Sequence, residues 1–535
     1  MLCYIPCMVS NASILPDNIN ELKEKVISLS ESNSHFEVEN TILREQVRLL
    51  RSQIFGRKTE KHSLIPDDGQ ALLFNEVEEF SPEEEVKEDV EIKGHKRKKR
   101  GRKPLPEGLP RVDVIHDIGE EEKICACGCI KSCMGKEISE QLDIIPAKIQ
   151  VIRNIRLKYV CKDCEGVEAE EPAVKIAPLP EQLIPKSIAT PGLLAYVLTA
   201  KFVDALPFYR QESQFRRLGI DLPRSTMCGW AIKVADRCES LVKLLNNDIR
   251  SGPLINVDET TVQVMKEPGR SNKTKSYMWI YRGGDPERPA LVYQYHPTRA
   301  GSVVSDYLES YEGYVQSDGY AGYDFVDHKS QIVHVGCWAH ARRKFVDVVK
   351  ASGKRKSVKS RTGHAEKAIN YIKKLYAIES KAKDQKLTYE MLFEERQKHT
   401  KPILDDFKNW LEDLAPKTPP KGLLGKAISY TLKQWDRLIH YLDDGRISPD
   451  NNLAENAIRP FVVGRKNWLF SGNPRGAKAS AALYSIIETA KANDLEPYAY
   501  LRFLFDRLPH AKSEADYKVL LPNRVNKDQL DLGFS

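Results

Sequence analysis

The sequence predicts a multidomain α+β chain, and three observations carry that prediction. A leucine heptad repeat opens the chain, a cluster of cysteines follows it, and near residue 254 the apolar pattern changes from helical to strand period. The 535 residues suggest several domains at roughly 150 residues each. Hydrophobic residues make up 41% and charged residues 29%, so most of the chain can bury a core. No apolar run approaches the roughly 20 residues of a membrane span, and no export signal is read at the start. Met8 offers an alternative start, because the repeat begins only after it.

The first domain is read as residues 15–56. Leu15, Leu22, Leu29, Phe36, Leu43 and Leu50 recur every seven residues, with Ile19, Val26, Asn33, Asn40, Val47 and Ile54 between them. Leucine at d with Val, Ile and Asn at a favours a parallel two-stranded coiled coil, in which Asn33 and Asn40 fix the register. A homodimer is therefore expected. Gly56 ends the helix, and residues 57–111 read as a linker: an acidic stretch, then Lys96, Arg97, Lys98, Lys99, Arg100, Arg102 and Lys103 with little apolar company. Gly101 to Pro104 is similar to an AT-hook, but Pro does not directly follow Arg, which favours a solvated basic tether with phosphate contacts. The net charge is only +7; its clustering is what points to DNA.

Residues 112–175 hold six of the eleven cysteines. In a large chain without an export signal this reads as a metal site in a reducing cytoplasm rather than as disulfides. Cys161 and Cys164 form a zinc knuckle, two thiolates at the spacing that grips a tetrahedral ion. Upstream the pattern is C-x-C, giving Cys125 and Cys127 as the other Zn²⁺ ligands, with Cys129 or Cys133 as replacements for one of them. The intervening β-branched and basic run suits strands. Residues 186–250 read as helical, with Pro191 at a helix start. A turn over Gly219 to Pro223, a cap at Ser225 and a helix from Thr226 fit a helix-turn-helix, with Arg216, Arg217, Arg224 and Lys233 nearby for DNA contact.

Residues 251–490 carry the chemistry. Three strands of antiparallel type, a helix, a strand ending in Asp318, a link and a last strand give the order of an RNase H-like core. In that order the first strand, with Asp258 in its middle, lies beside the fourth and brings Asp258 next to Asp318. Two carboxylates held that close repel unless a cation lies between them. Mg²⁺ or Mn²⁺ suits such a site, and paired ions can activate a nucleophilic oxygen and stabilise a leaving 3′ oxygen. The third acid is Glu455, on a helix that Asp450 or Asn451 can cap, with Arg459 one turn on and Arg465 and Lys466 placed to neutralise phosphates. A helical, lysine-rich insertion over about 345–444 separates Glu455 from the last strand, and residues 491–535 form a C-terminal helical segment.

QIFGRKTEK, GRKPLPEGLPR, EISEQLDIIPAKIQVIRNIRLKYVCKDC, NVDET, SDGYAGY, GCWAHARRKF and NNLAENAIRPFVVGRKNWLFSGNPRGA together resemble the Insertion Sequence 66 family of bacterial transposases along nearly the whole chain. The resemblance implies a DDE-type transposase whose three acidic roles fall on Asp258, Asp318 and Glu455. It implies a nucleoid-associated cytoplasmic protein that acts on element ends and target DNA, with help from other proteins of the same element. The C-x-C start of the zinc module departs from the family pattern. The rival reading is a dimeric, zinc-containing DNA-binding regulator with an inactive nuclease-like core.

Overall fold

The computed structural model describes residues 18–55, 149–155, 158–160, 174–176, 181–352 and 363–530. They fall into two units, one of residues 84–181 with 531–535 and one of the rest. In the first, β1 (Lys158–Val160) pairs antiparallel with β2 (Val174–Ile176); of the β-branched run expected to form strands, residues 149–155 have no regular secondary structure and β1 is its end. The basic tether from Lys96 to Lys103 and the cysteines Cys125, Cys127, Cys161 and Cys164 lie outside the described residues.

The second unit opens with α1 (Ile19–Phe55), 37 residues and about 55 Å of continuous helix. Along it Val26, Leu29, Phe36, Leu43, Val47 and Leu50 are all exposed. Ile42 and Leu49, off that stripe, are half-buried. Apart from half-buried Leu22, the described heptad seam is thus left uncovered in the single chain.

Four helices follow: α2 (Pro191–Phe202), α3 (Phe208–Arg217), α4 (Arg224–Arg237) and α5 (Glu239–Ser251). Thr190 caps α2, accepting from the Leu193 N–H at 3.2 Å, with Pro191 in the first turn. Gly219, at φ 77°, makes the turn between α3 and α4. The expected cap at Ser225 is displaced: α4 begins at Arg224, and Pro223 holds the capping position with no side-chain bond. Pro223 sits at φ −64°, ready for a helix start, and has no N–H to satisfy. The apolar face of α4 is spent inward, through Met227, Trp230 and Val234.

The central sheet has the order β5-β4-β3-β6-β7, from β3 (Leu254–Gln263), β4 (Lys275–Asp285), β5 (Arg288–His296), β6 (Gly313–Gln316) and β7 (Ile332–Val335). β3, β4 and β5 run antiparallel, and β6 pairs parallel with both β3 and β7. Short α6 (Gly301–Tyr307) joins β5 to β6. Consecutive Trp279, Ile280 and Tyr281 are all fully buried, so both faces of β4 are covered.

Helical structure then runs from α7 (Trp338–Ser352) through α8 (His364–Asp384), α9 (Tyr389–Glu395), α10 (Lys401–Leu414), α11 (Leu423–Lys433) and α12 (Trp435–Ile439). In this helical stretch α7 grows directly from the turn after β7. The stretch has its own core around Trp338, Ile372, Phe407 and Trp435. α13 (Asn452–Trp468), α14 (Pro474–Ala492), α15 (Pro497–Arg507) and α16 (Glu514–Lys518) complete the unit. Tyr500, Leu501, Leu504 and Phe505 of α15 join the core beneath the sheet, so the C-terminal segment is packed into the same body. No helix among the described residues is long and apolar enough to cross a membrane.

Candidate active site

β3 and β6 pair in register Asn256 opposite Gln316. Asp258 and Asp318 each follow that pair by two residues, so the parallel register alone sends both acids to the same end of the sheet. α13 presents Glu455, only 2% exposed, one turn from its start. Asp258 and Glu455 line one cleft of about 320 Å³, together with Glu259, Thr260, His340, Arg343, Arg465 and Lys466. Asp318 is not among the lining residues; its carboxylate accepts from the Tyr320 N–H at 3.0 Å. It is still close enough to act on Asp258. Burial above all, then the charges of Glu259, Glu455 and Asp318, hold the Asp258 carboxyl well above the usual range. One bond opposes this, from the Glu259 N–H to Asp258 Oδ1 at 2.8 Å.

Glu259 is a fourth buried acid that composition alone did not mark. It pairs with Arg299 Nε at 2.6 Å and accepts from the Tyr323 hydroxyl. Burial raises its carboxyl, and Tyr323 and Arg299 pull the other way. Arg299 in turn lies 3.6 Å over the Tyr320 ring, which ties this pair to the loop after Asp318.

α7 and the turn before it add residues that stand in the GCWAHARRKF motif without an expected role. His340 Nδ1 lies 3.5 Å from Glu455 Oε1, and Arg343 lies 3.9 Å from Oε2. Ligand atoms of Cys337, His340 and Glu455 fall within 4.8 Å of one another, a spacing at which they could hold a metal ion. Burial and then Arg343 lower His340 to about 4, so it is neutral near pH 7. Burial drives the Cys337 thiol well up. The signal was the C-x-x-H spacing at a strand-to-helix turn, which sets both side chains on one helical face.

The basic residues divide. Lys466 is exposed and lines the cleft. Arg465 donates to Thr260 Oγ1 at 3.1 Å and to the Thr261 carbonyl, so much of it is spent holding α13 on β3. Arg459 is half-buried one turn beyond Glu455 and does not line the cleft. Arg216, Arg217, Arg224 and Lys233 are exposed around the α3–α4 turn.

An acid-lined cleft beside a cationic wall suits a polyanion handled with a cation, and comparison with known proteins gives that class a name, transposase. A family model described as Transposase IS66 family matches residues 186–479. Flanking it are a model described as Transposase C of IS166 homeodomain over 42–114, one for the zinc-finger binding domain of transposase IS66 over 122–165, and the IS66 C-terminal element over 485–522. The chain belongs to the IS66 transposase family. Similar proteins of matching length occur in Sinorhizobium fredii (strain NBRC 101917 / NGR234). Uncharacterized protein y4jD is 32% identical across 96% of this chain and 98% of its own length. Uncharacterized protein y4qI is 27% identical across 98% of this chain and 100% of its own length.

Proposed function

We propose that the chain cleaves and joins DNA strands at the ends of its own insertion element, on a centre of Asp258, Asp318 and Glu455 in an RNase H-like core. The observation that carries this reading is the cleft that Asp258 and Glu455 share with Lys466, with Asp318 close enough to repel Asp258, in a chain of this family. The sheet order, with the first strand of the core beside the fourth, supports the fold assignment.

The donor set suits a hard divalent cation, Mg²⁺ or Mn²⁺, because carboxylate oxygens are the ligands such ions prefer. Asp258, Asp318 and Glu455 would hold it. When bound, such ions supply activation of the attacking oxygen and stabilisation of the leaving one. The chain's residues do the rest. Lys466 and Arg343 meet phosphate oxygens at the cleft. Neutral His340 lies beside Glu455 without adding a charge. Water attacks a phosphodiester at the element end and frees a 3′ hydroxyl; that hydroxyl then attacks a target phosphodiester and expels its 3′ oxygen.

DNA delivery falls to the exposed cations of the α3–α4 turn and to the tether from Lys96 to Lys103, with a Zn²⁺-bound module on Cys125, Cys127, Cys161 and Cys164 between them. The uncovered seam of α1 pairs two protomers, so that two element ends meet in one complex. Cytoplasmic, nucleoid-associated action and assistance from other proteins of the element go with this role.

The test is nicking of the flanking inverted repeats by purified protein with Mn²⁺. Wild type should nick, and Asp258→Ala should bind the ends without cutting them. A wild type that binds ends but never nicks, with acidic variants that transpose like wild type, supports a DNA-binding regulator instead.

A further inference from the structure

Behind the three acids lies a second set of three side chains at matching intervals. Asn256 precedes Asp258 by two residues and Gln316 precedes Asp318 by two, one period of an extended strand. Asn451 precedes Glu455 by four, one turn of helix. All three amides are buried, at 1%, 0% and 1% exposure. They bond to one another. Asn256 Nδ2 donates to Gln316 Oε1 at 2.8 Å and to Asn451 Oδ1 at 3.1 Å, using both its hydrogens.

The network also grips the backbone that carries the acids. Asn451 Nδ2 donates to the Val257 carbonyl at 2.9 Å, the peptide that leads into Asp258. Gln316 Nε2 donates to the Ser448 carbonyl at 2.8 Å and the Gly336 carbonyl at 3.3 Å, the segments before α13 and α7. The Asn451 N–H meets Cys337 Sγ at 3.2 Å. One connected set of amides thus ties β3, β6 and the starts of α7 and α13. Asn256 Oδ1 is the one buried side-chain oxygen or nitrogen of the three amides without a partner, and a buried network paired this far rigidifies the elements it joins and specifies one geometry.

We propose that Asn256, Gln316 and Asn451 are positioning residues that set the spacing of Asp258, Asp318 and Glu455 for divalent-cation binding; this rests on the catalytic reading above. Residues that orient metal ligands without touching the metal tune affinity by roughly 10- to 100-fold. The backbone ladder fixes β6 on β3, but apolar packing in place of the amides would leave α13 less sharply placed against them.

The experiment uses full-length, zinc-loaded protein and the variants Asn451→Ala, Gln316→Leu and Asn256→Ser. Mn²⁺ affinity is read by electron paramagnetic resonance, alongside nicking against Mn²⁺ concentration, element-end binding and thermal unfolding. The expected result is Mn²⁺ binding weakened roughly 10- to 100-fold, nicking partly recovered at high Mn²⁺, and unchanged end binding. A merely structural role would lower the melting temperature and leave the metal dependence of the folded protein where it was. Asn256→Ser, the mildest change, is read even if Asn451→Ala fails to fold. Folded variants with wild-type Mn²⁺ affinity overturn the positioning role alone, provided wild type binds Mn²⁺ and Asp258→Ala does not. A wild type that binds no Mn²⁺ at the acids overturns the catalytic reading, and this one with it.

Discussion

Acidification should weaken the fold through His334, and the size of the effect can be worked out. Its side chain is 2% exposed on β7, with Nδ1 2.9 Å from Asp327 and Nε2 2.8 Å from Ser317 Oγ, next to Asp318. Burial first, then the Arg437 guanidinium, lowers it from the ordinary 6.5 to about 4, against the pull of Asp327 and Asp324. Arg437 is held by the same two acids, at 3.1 Å from Asp327 and 2.7 Å from Asp324. The folded state therefore favours neutral His334. Between pH 6.5 and about 4 the unfolded chain binds the extra proton, so this stability is full above 6.5 and lost as pH falls through that window. A gap of that width is worth roughly 3 kcal/mol. Asp327, whose carboxyl Arg437 and His334 hold below its usual value, adds loss of the same sign at lower pH. Denaturant unfolding of wild type and His334→Gln across this range gives the test. The stability difference between them should shrink by roughly 3 kcal/mol from pH 7 to pH 4, since only wild type titrates there. A difference that stays constant with pH refutes the argument.

Asp258→Asn removes a buried charge that its neighbours repel, so without divalent ions it should melt above wild type; Mn²⁺ should raise the melting point of wild type and leave the variant unchanged, as calorimetry would show. Leu29→Pro should convert a dimer to a monomer in sedimentation velocity and impair end pairing while the metal response of the core persists, and a monomeric wild type would count against the zipper. Trp338→Ala empties the insertion core, where the ring packs against Phe407 and Trp435, and should cost about 3–5 kcal/mol in denaturant unfolding. Cys161→Ser with Cys164→Ser should lower bound zinc measured by atomic emission; unchanged zinc would move the site elsewhere.

What was legible in the sequence followed periodicity. The strand pattern around Asp258, the Gly turn after Asp318 and the helical register of Glu455 are local properties, and the core's strand order follows from their succession. What was not legible depends on partners distant in sequence. Asn256 and Asn451 are 195 residues apart, and neither looks unusual in its own segment. Arg465 reads as a free phosphate ligand until β3 is seen to take its guanidinium. His340 and Arg343 stand in a quoted motif, yet only the fold brings them to Glu455. Pro223 displaced Ser225 as the start of α4 because ring geometry, not a hydroxyl, set the helix entry.

The helical insertion raises a mechanical question, since a long detour between β7 and α13 could blur the placement of Glu455. The hydrogen bonds at its two ends answer it. The Gly336 N–H donates to the Arg437 carbonyl at 2.8 Å, and the Trp338 N–H donates to the Pro449 carbonyl at 3.0 Å. The Trp338 indole N–H reaches the Leu438 carbonyl at 2.9 Å, from the centre of the insertion's own core. The chain thus leaves the sheet and returns to it at one clasp. Errors accumulated along α8 to α11 do not propagate to α13, because the departing and returning segments are bonded to each other before Glu455 is reached. Loop length contributes to closure entropy only logarithmically, so an insertion closed this way burdens stability little. The same clasp holds Cys337 against Asn451, and Asn451 against the peptide of Asp258. The insertion is therefore part of how the acids are spaced, and a change at Trp338 should be felt at the site before it is felt in the sheet.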